Sequence, residues 1–112
     1  LKKNSYVSGK KLKNLGCNIA LATDFNPGSS TTQSLLFVMQ LANLYCEMNL
    51  DDIFKATTYN AARALNLEYN KGRVAIGYDA DLIFWNLKDF REISYWASNS
   101  YINKVMKGGD LI

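Results

Sequence analysis

The sequence has no histidine, one proline and two cysteines among its 112 residues. Zinc sites in proteins generally use imidazole nitrogen or thiolate sulfur as ligands. Without histidine, this chain can supply a carboxylate ligand and little else, which argues against a complete catalytic metal site within it. Cys17 and Cys46 lie far apart without Cys-x-x-Cys spacing, so we expect two reduced thiols, as is typical of a cytoplasmic protein.

The sequence also lacks a long apolar run, a signal-peptide pattern at its start and a strong charge of either sign. No segment is long and apolar enough to span a bilayer, so we expect no membrane partner. The net charge is only +3, and the lysines near the start are not interleaved with aromatic residues, so we expect no nucleic-acid partner. The first residue is Leu1 rather than a methionine, as expected of a piece of a longer polypeptide.

The most informative stretch runs from Asn18 to Ser30. Its residues 19–22 form a short apolar run without alternation, which is typical of a strand covered on both faces in a parallel α/β sheet. Asp24 follows this run, at the carboxyl end of the predicted strand, where α/β proteins bind their ligands. Two roles suit Asp24 there: a metal-binding or proton-accepting carboxylate, or an Asx-turn cap of the loop.

The residues after Asp24 predict a turn and then the start of a helix. Pro27 and Gly28 turn the chain, and residues 29–32 are all serine or threonine. These residues offer hydroxyls and backbone amides ahead of a helix that begins near Gln33, and an uncapped helix start attracts anions. The sequence therefore predicts an anion site a few residues from the Asp24 carboxylate.

The rest of the chain predicts helices followed by short strands. Apolar spacing and capping residues predict helices over 9–15, 31–48 and 49–65, and a short helix over 90–96. Asn49 is predicted to cap the third of these helices, and Asn66 tolerates the left-handed conformation that its end requires. Strands are predicted over 73–76, 81–86 and 101–107, with a turn at Gly108-Gly109 and a return strand over 110–112. The change of pattern near Lys71-Gly72 predicts a boundary between an α/β part and a β part.

Several side chains in these helices suggest chemistry but have a simpler interpretation. The helix predicted over 31–48 is apolar except for a narrow stripe, so neighbours should cover most of it; the stripe comprises Gln33, Gln40, Asn43 and Glu47. Met39 and Met48 are predicted to fill the core. Asp51 and Asp52 point apart on a helix, so we interpret them as helix-start charges rather than as an acid–base pair.

Three motifs of the sequence resemble motifs of known hydrolases. The most specific is Ala22-Thr23-Asp24-Phe25-Asn26-Pro27-Gly28-Ser29-Ser30, which resembles the last-strand motif of the imidazolonepropionase family within the amidohydrolase superfamily. The segments 58–65 and 72–82 resemble motifs shared widely among amidohydrolases. The resemblance covers nearly the whole chain but only the C-terminal part of such an enzyme.

This resemblance implies an α/β fold, namely the C-terminal portion of a metal-dependent (β/α)8 TIM-barrel hydrolase plus part of a small β-sandwich domain. Residues 1–70 would supply the last strand and helices of the barrel, and residues 71–112 part of the sandwich. A closed barrel takes roughly 250 residues, so this chain is too short to form one. The sequence departs from the family at Asn66, where glycine is usual, and near 97–99, where a common glycine is absent.

The resemblance also implies an activity: hydrolysis of the cyclic amide 4-imidazolone-5-propanoate to N-formimidoyl-L-glutamate in histidine degradation. Asp24 would be the metal ligand and the catalytic proton acceptor, while Asn26, Gly28 and Ser29 would contact the substrate. The cofactor would be a divalent zinc or iron ion whose other ligands lie outside this chain, so we expect the 112-residue chain alone to be inactive. The enzyme would be cytoplasmic and act on a small molecule, with a homodimer as one option for its assembly.

Two other classes of function stay open at this point. One is a different amidohydrolase, acting on cyclic amides or ureides or removing an amino group; the segment 26–29 after Asp24, which related enzymes generally lack, discriminates against it. The other is a non-catalytic binding or structural module, because the chain has no imidazole. An upstream strand bearing His-x-His in the gene would separate these classes.

Overall fold

The computed structural model describes residues 5–95 and 101–112. The four α-helices lie before residue 65 and the strands of a small sheet lie after residue 81. The elements are α1 (Gly9–Asn14), α2 (Leu35–Tyr45), α3 (Leu50–Thr57), α4 (Tyr59–Ala64), β1 (Leu82–Trp85), a 3₁₀ helix (Phe90–Ser94), β2 (Ile102–Lys107) and β3 (Asp110–Leu111). Within the described ranges, none of the helices has the length and apolarity that crossing a membrane requires.

Capping side chains set where three of the helices begin. The side-chain oxygens of Ser8, Ser34 and Asn49 each accept a hydrogen bond from an amide in the first turn of α1, α2 and α3. Asn49 was predicted as a cap, and it accepts from the amide of Asp52 at 2.8 Å. The carboxylate of Asp52 also pairs with Lys13 at 2.7 Å, so this predicted helix-start charge joins α3 to α1.

The core lies between α2 and α3 and confirms the interpretation of the two methionines. Met39 and Met48 are 4% and 5% exposed, and they pack with the fully buried Ile53. Ala42 and Ala56 complete this cluster. The partly buried side chains packed against it include Ile19, Leu21, Cys46, Leu50 and Phe54.

Helix α2 is shorter than the 31–48 predicted, and its polar stripe is not wholly exposed. The helix starts only after the Ser34 cap, because the residues before it form a loop. Gln40, predicted on the polar stripe, is 3% exposed and donates its Nε2 to the carbonyl of Ile93 at 2.9 Å. This bond ties α2 to the 3₁₀ helix, which is the observed form of the predicted helix over 90–96; Trp96 lies outside the described residues.

The single helix predicted over 49–65 is interrupted at Thr58, where φ is −121° and ψ is −93°. The Thr58 hydroxyl donates to the carbonyl of Phe54 at 2.6 Å. Gly72, at φ +86°, approaches this point so closely that a Cβ there would lie 2.9 Å from the Thr58 carbonyl oxygen. We call this interruption the helix break. Helix α4 then ends as predicted, with Asn66 in the left-handed region at φ 57°.

Replacing Gly72 with alanine should destabilise the protein more than the same change at Gly77. Both glycines have nearly the same φ, +86° and +88°, so both variants carry a backbone cost of about 1–3 kcal/mol. Only at Gly72 would the new Cβ collide with backbone atoms, because nothing lies within 4 Å of a Cβ at Gly77. Urea unfolding followed by circular dichroism should give the lower midpoint for Gly72→Ala. Equal midpoints would mean that the close approach to the helix break is not tight.

The segment predicted as a buried strand, residues 19–22, has no regular secondary structure. Ile19 and Leu21 pack against the core, whereas the residues between and after them are exposed. A strand needs a neighbouring strand to bond its backbone groups, and within residues 5–95 and 101–112 no strand pairs with this segment. Its hydrogen bonds go instead to the helices: Leu21 N–H donates to the Ala56 carbonyl at 3.0 Å, and Asn60 Nδ2 donates to the Ile19 carbonyl at 2.9 Å.

The sheet confirms the strands predicted late in the chain but not the strand predicted over 73–76. Strands β1, β2 and β3 pair antiparallel in that order, with Leu82 opposite Met106. Gly108 and Gly109 join β2 to β3 with φ values of 59° and 95°, as a two-residue hairpin turn with two positive φ angles requires. Residues 73–76 find no strand partner among the described residues, and their side chains face solvent.

An ion-pair cluster fixes the segment before β1 against the hairpin. Lys71 Nζ lies 2.7 Å from a carboxylate oxygen of Asp79 and 2.6 Å from one of Asp81. The other oxygen of Asp81 accepts the amide of Gly108 at 2.9 Å. Hydrogen bonds from Lys71 and from Gly108 hold the pKa of Asp81 below its ordinary value. Asp79 and Asp81 therefore have a structural role in the turn before β1.

Candidate functional site

Asp24 occupies a loop that leaves its carboxylate available. The residue is exposed and adopts φ 48°, the left-handed region that few non-glycine residues enter. Backbone strain of this kind costs about 1–3 kcal/mol and clusters at functional sites. Among the described residues, no group donates a hydrogen bond to the Asp24 carboxylate, whereas its backbone carbonyl accepts from Asn26 Nδ2 at 2.6 Å. The carboxylate is therefore held on a bent backbone and kept free of internal partners.

Asn26 organises the loop around Asp24. Its Oδ1 accepts the backbone amides of Gly28 at 2.9 Å and Ser29 at 2.8 Å. The backbone amide of Asn26 donates to the carbonyl of Ser30 at 2.8 Å, and the two residues form an isolated antiparallel β-bridge. The side chain predicted to contact substrate thus satisfies the Asx-turn chemistry that was the alternative role at this loop. Asn26 acts on the site by giving the loop its shape.

Gly28 and Ser29 lie at the tip of the same loop. A Cβ at Gly28 would lie 3.3 Å from Asn26 Oδ1, so glycine leaves room for the amide oxygen to receive both backbone amides. The Ser29 hydroxyl accepts from Asn26 Nδ2 at 3.1 Å and lies 3.3 Å from Asn26 Oδ1, which makes any bond that it donates there a weak one. Ser29 is exposed, so its hydroxyl can exchange this contact for a ligand.

The anion site predicted at a helix start does not form where the sequence placed it. Helix α2 begins after the Ser34 cap, five residues beyond Ser29, and its first amides are not those of the loop tip. The loop amides are taken up by Asn26 Oδ1, and the Ser30 hydroxyl donates to the carbonyl of Thr23 at 2.6 Å. Local groups therefore occupy the amides of Gly28 and Ser29 and the hydroxyl of Ser30, which were predicted to be available to an anion.

Asn60 has no role predicted from the sequence, although this residue lies in a motif that carried the resemblance. In the structure its side chain holds the carbonyl of Ile19, five residues before Asp24. The available signal was an amide side chain on the otherwise apolar face of the helix predicted over 49–65. Its partner could not be read from local sequence because 41 positions separate the two residues.

The described residues fit one ligand position of a metal site rather than a whole site. Asp24 offers carboxylate oxygens that are exposed and free of internal hydrogen bonds. Within residues 5–95 and 101–112, no group of three histidine, cysteine, aspartate or glutamate side chains comes together to hold an ion. Cys17 and Cys46 are both free thiols, and burial raises the pKa of Cys46, which favours the protonated form over a thiolate ligand.

Comparisons with known proteins match this chain along nearly its whole length. The amidohydrolase family matches residues 2–112. The chain is 37% identical over 111 residues to the imidazolonepropionase of Bacillus cytotoxicus, covering 99% of this chain and 26% of that protein. It is 37% identical over 110 residues to that of Kosmotoga olearia, covering 98% and 27%, and 34% identical over 111 residues to that of Bacillus thuringiensis, covering 99% and 26%. The chain thus spans about a quarter of the length of these curated relatives.

Proposed function

Because this chain belongs to the amidohydrolase family, we propose that it forms the C-terminal part of an imidazolonepropionase. The family has the TIM-barrel superfamily fold and is generally metal-dependent. In this proposal residues 1–70 belong to the barrel and residues 71–112 to a small β-sandwich domain. The substrate is 4-imidazolone-5-propanoate, the product is N-formimidoyl-L-glutamate, and the enzyme works in the cytoplasm.

The observation that carries the proposal is the loop from Asp24 to Ser30. The amide and hydroxyl groups of the loop form hydrogen bonds within the loop, and among the described residues none of them donates to the Asp24 carboxylate. An exposed carboxylate on a strained backbone is poorly explained by loop stability alone, because stability would favour a glycine or a paired side chain. A reacting group that must meet a ligand explains it.

Asp24 is proposed to act as the proton carrier of the reaction. The oxygen of a water molecule attacks the ring carbonyl carbon, Asp24 accepts the proton that the water loses, and the ring carbon–nitrogen bond breaks. Asp24 then returns the proton to the leaving ring nitrogen, so its carboxylate is regenerated. Asp24 would also be one ligand of a divalent zinc or iron ion, which when bound would lower the pKa of the attacking water.

Asn26, Gly28 and Ser29 are proposed to form the substrate-binding edge of the loop. Asn26 and Gly28 contribute by fixing the loop tip, since Asn26 Oδ1 binds the amides there. Ser29 contributes the hydroxyl, which can donate to the propionate carboxylate of the substrate. A hydrogen bond to a charged group stabilises a complex by about 1.5–3 kcal/mol.

Replacing Ser29 with alanine in the full-length protein should raise KM about ten-fold or more and lower kcat less. The propionate does not react, so its contact is made equally in the ground state and the transition state, and its loss appears in KM. The matched control is Thr31→Ala, an exposed residue of the same loop whose hydroxyl makes no hydrogen bond in the described part of the chain. Its KM should stay at the wild-type value. If KM is unchanged in the Ser29 variant as well, Ser29 serves only to shape the loop.

The proposed activity is tested by incubating the full-length protein that contains these residues with 4-imidazolone-5-propanoate and identifying the product. We expect loss of the imidazolone and formation of N-formimidoyl-L-glutamate without release of ammonia. Release of ammonia would indicate a deaminating amidohydrolase, and hydrolysis of a cyclic ureide in preference to the imidazolone would indicate another ring substrate. A folded, metal-loaded protein that acts on none of these would support a structural role.

A further inference from the structure

The loop that carries Asp24 depends on its two ends for its position. Among the described residues, every hydrogen bond made by residues 22–31 stays within that loop. On the far side the chain continues to the Ser34 cap of α2. On the near side the last attachments before Asp24 are the two hydrogen bonds at Ile19 and Leu21. Within this chain, these two bonds and the packing of Ile19 and Leu21 against the core hold the segment before Asp24 in place.

The partner in one bond, Ala56, lies just before the helix break, and the partner in the other bond, Asn60, lies just after it. In a continuous helix the carbonyl of Ala56 would accept the backbone amide of Asn60, four residues later. The break at Thr58 releases that carbonyl, and Leu21 donates its amide to it at 3.0 Å. The Asn60 side chain, just beyond the break, donates to the Ile19 carbonyl at 2.9 Å. Residues 19 and 21 are two positions apart, so in an extended segment their backbone groups lie on the same edge. The Ala56 carbonyl and the Asn60 side chain bond that edge, as the backbone of a neighbouring strand would in a sheet.

The residues that make these two hydrogen bonds are restricted by packing in or near the core. Ala56 is fully buried and belongs to the core cluster, and both Ile19 and Leu21 pack against the same cluster. Gly72 leaves no room for a side chain beside the break, because a Cβ there would lie 2.9 Å from both the Thr58 carbonyl oxygen and the Tyr59 Cα. A carbonyl and an amide fixed in this way hold the attached segment more narrowly than apolar packing alone, because hydrogen bonds are directional.

We propose that Asn60 is a positioning residue for Asp24, acting through the carbonyl of Ile19 together with the helix break. The inference rests on the proposed function, because it assigns Asn60 a part in placing the proton carrier. A displacement of about 1 Å in a reacting group can cost on the order of 10²-fold in rate. Asn60 does not touch the reacting atoms, so its loss changes how well Asp24 is placed and leaves the substrate contacts at Ser29 intact.

The kinetic test compares Asn60→Ala and Asn60→Asp with Asn43→Ala in the full-length protein. Asn43 is a matched control because its Nδ2 also donates to a backbone carbonyl, that of Met48, at 2.8 Å, and it is also partly buried, but it lies away from the Asp24 loop. Asn60→Asp keeps the size of the side chain and removes the donor, which guards against an alanine variant that fails to fold. We expect both Asn60 variants to lower kcat about 10–100-fold with KM within about three-fold of wild type. Asn43→Ala should leave kcat near the wild-type value even if it lowers the melting temperature as much as the Asn60 variants do.

Hydrogen exchange supplies a readout that does not depend on the substrate. Peptides covering residues 17–25 should exchange at least ten-fold faster in the Asn60 variants, because loss of the bond from Asn60 to the Ile19 carbonyl loosens the segment and with it the neighbouring bond from the Leu21 amide to the Ala56 carbonyl. They should exchange at the wild-type rate in Asn43→Ala. Wild-type exchange and wild-type kcat in folded Asn60 variants would overturn the positioning role. A wild-type protein that is inactive toward 4-imidazolone-5-propanoate would overturn the proposed function instead, and the exchange result would still decide whether Asn60 holds the segment.

Discussion

Asp24→Asn in the full-length protein is expected to lower kcat/KM for 4-imidazolone-5-propanoate by ~10²–10⁴-fold or more while leaving the fold intact. The amide has nearly the same size as the carboxylate but cannot accept a proton from water, and losing a general base typically costs that much in rate. Weaker metal binding would add to the loss. The fold should survive because the Asp24 side chain is exposed and makes no hydrogen bond within the described residues.

The control for this variant is Asp110→Asn, which removes the same charge from another exposed aspartate, in β3. Circular dichroism and metal content should be recorded for both variants. The Asp110 variant should keep wild-type kinetics. Near-normal kcat/KM with normal metal content in Asp24→Asn would remove Asp24 from the reaction and return it to a role in the loop.

The second large effect is expected from the 112-residue chain by itself, which should hold no catalytic metal tightly and show no turnover. Catalytic zinc sites use three protein ligands and leave one position for water. This chain has no histidine, and its described residues bring no three candidate ligands together. Asp24 alone is one oxygen ligand, and a single carboxylate does not retain a divalent ion through dialysis.

Elemental analysis after dialysis, combined with an assay of imidazolone hydrolysis, checks this expectation. The full-length protein, dialysed beside the chain, is the control and should retain both metal and activity. The chain should retain neither. Stoichiometric zinc or iron together with turnover in the 112-residue chain would mean that the site lies elsewhere than at Asp24.

Local chemistry in the sequence was sufficient to predict several elements of the fold. The Asn49 cap and the left-handed Asn66 are set by side-chain and backbone preferences within a few residues. The Gly108-Gly109 turn follows from the need for two positive φ angles in a short hairpin. Met39 and Met48 were placed in the core from helical spacing and apolarity alone.

The elements that the sequence did not predict depend on partners distant along the chain. Nothing between Asn49 and Leu65 signals the break at Thr58, because the apolar period continues across it; the close approach of Gly72 is a tertiary contact. The apolar run over 19–22 was consistent with a buried strand, but strand formation needs a pairing edge, and the described residues pair this run with α3 and α4 instead. The segment 73–76 likewise has no strand partner in the part of the chain that the structure describes.

The site shows the same division. Asp24, Asn26, Gly28 and Ser29 were chosen from a nine-residue motif, and the structure does bring them into one loop. The anion site was predicted at an uncapped helix start, but Ser34 caps α2, and Asn26 Oδ1 accepts the amides of Gly28 and Ser29 in an Asx-turn interaction that competes with anion binding. The roles of these residues toward metal and substrate remain predictions.

The central claim, that this chain supplies the Asp24 loop of an imidazolonepropionase, is tested most directly by a chimera. The 112 residues would replace the matching 111-residue region of the Bacillus cytotoxicus imidazolonepropionase, which supplies the remainder of the protein. The chimera and its Asp24→Asn variant would be assayed for turnover of 4-imidazolone-5-propanoate after both are shown to be folded and metal-loaded. We predict turnover in the chimera and its loss in the variant. A folded, metal-loaded chimera without turnover, or one whose turnover survives Asp24→Asn, would contradict the claim.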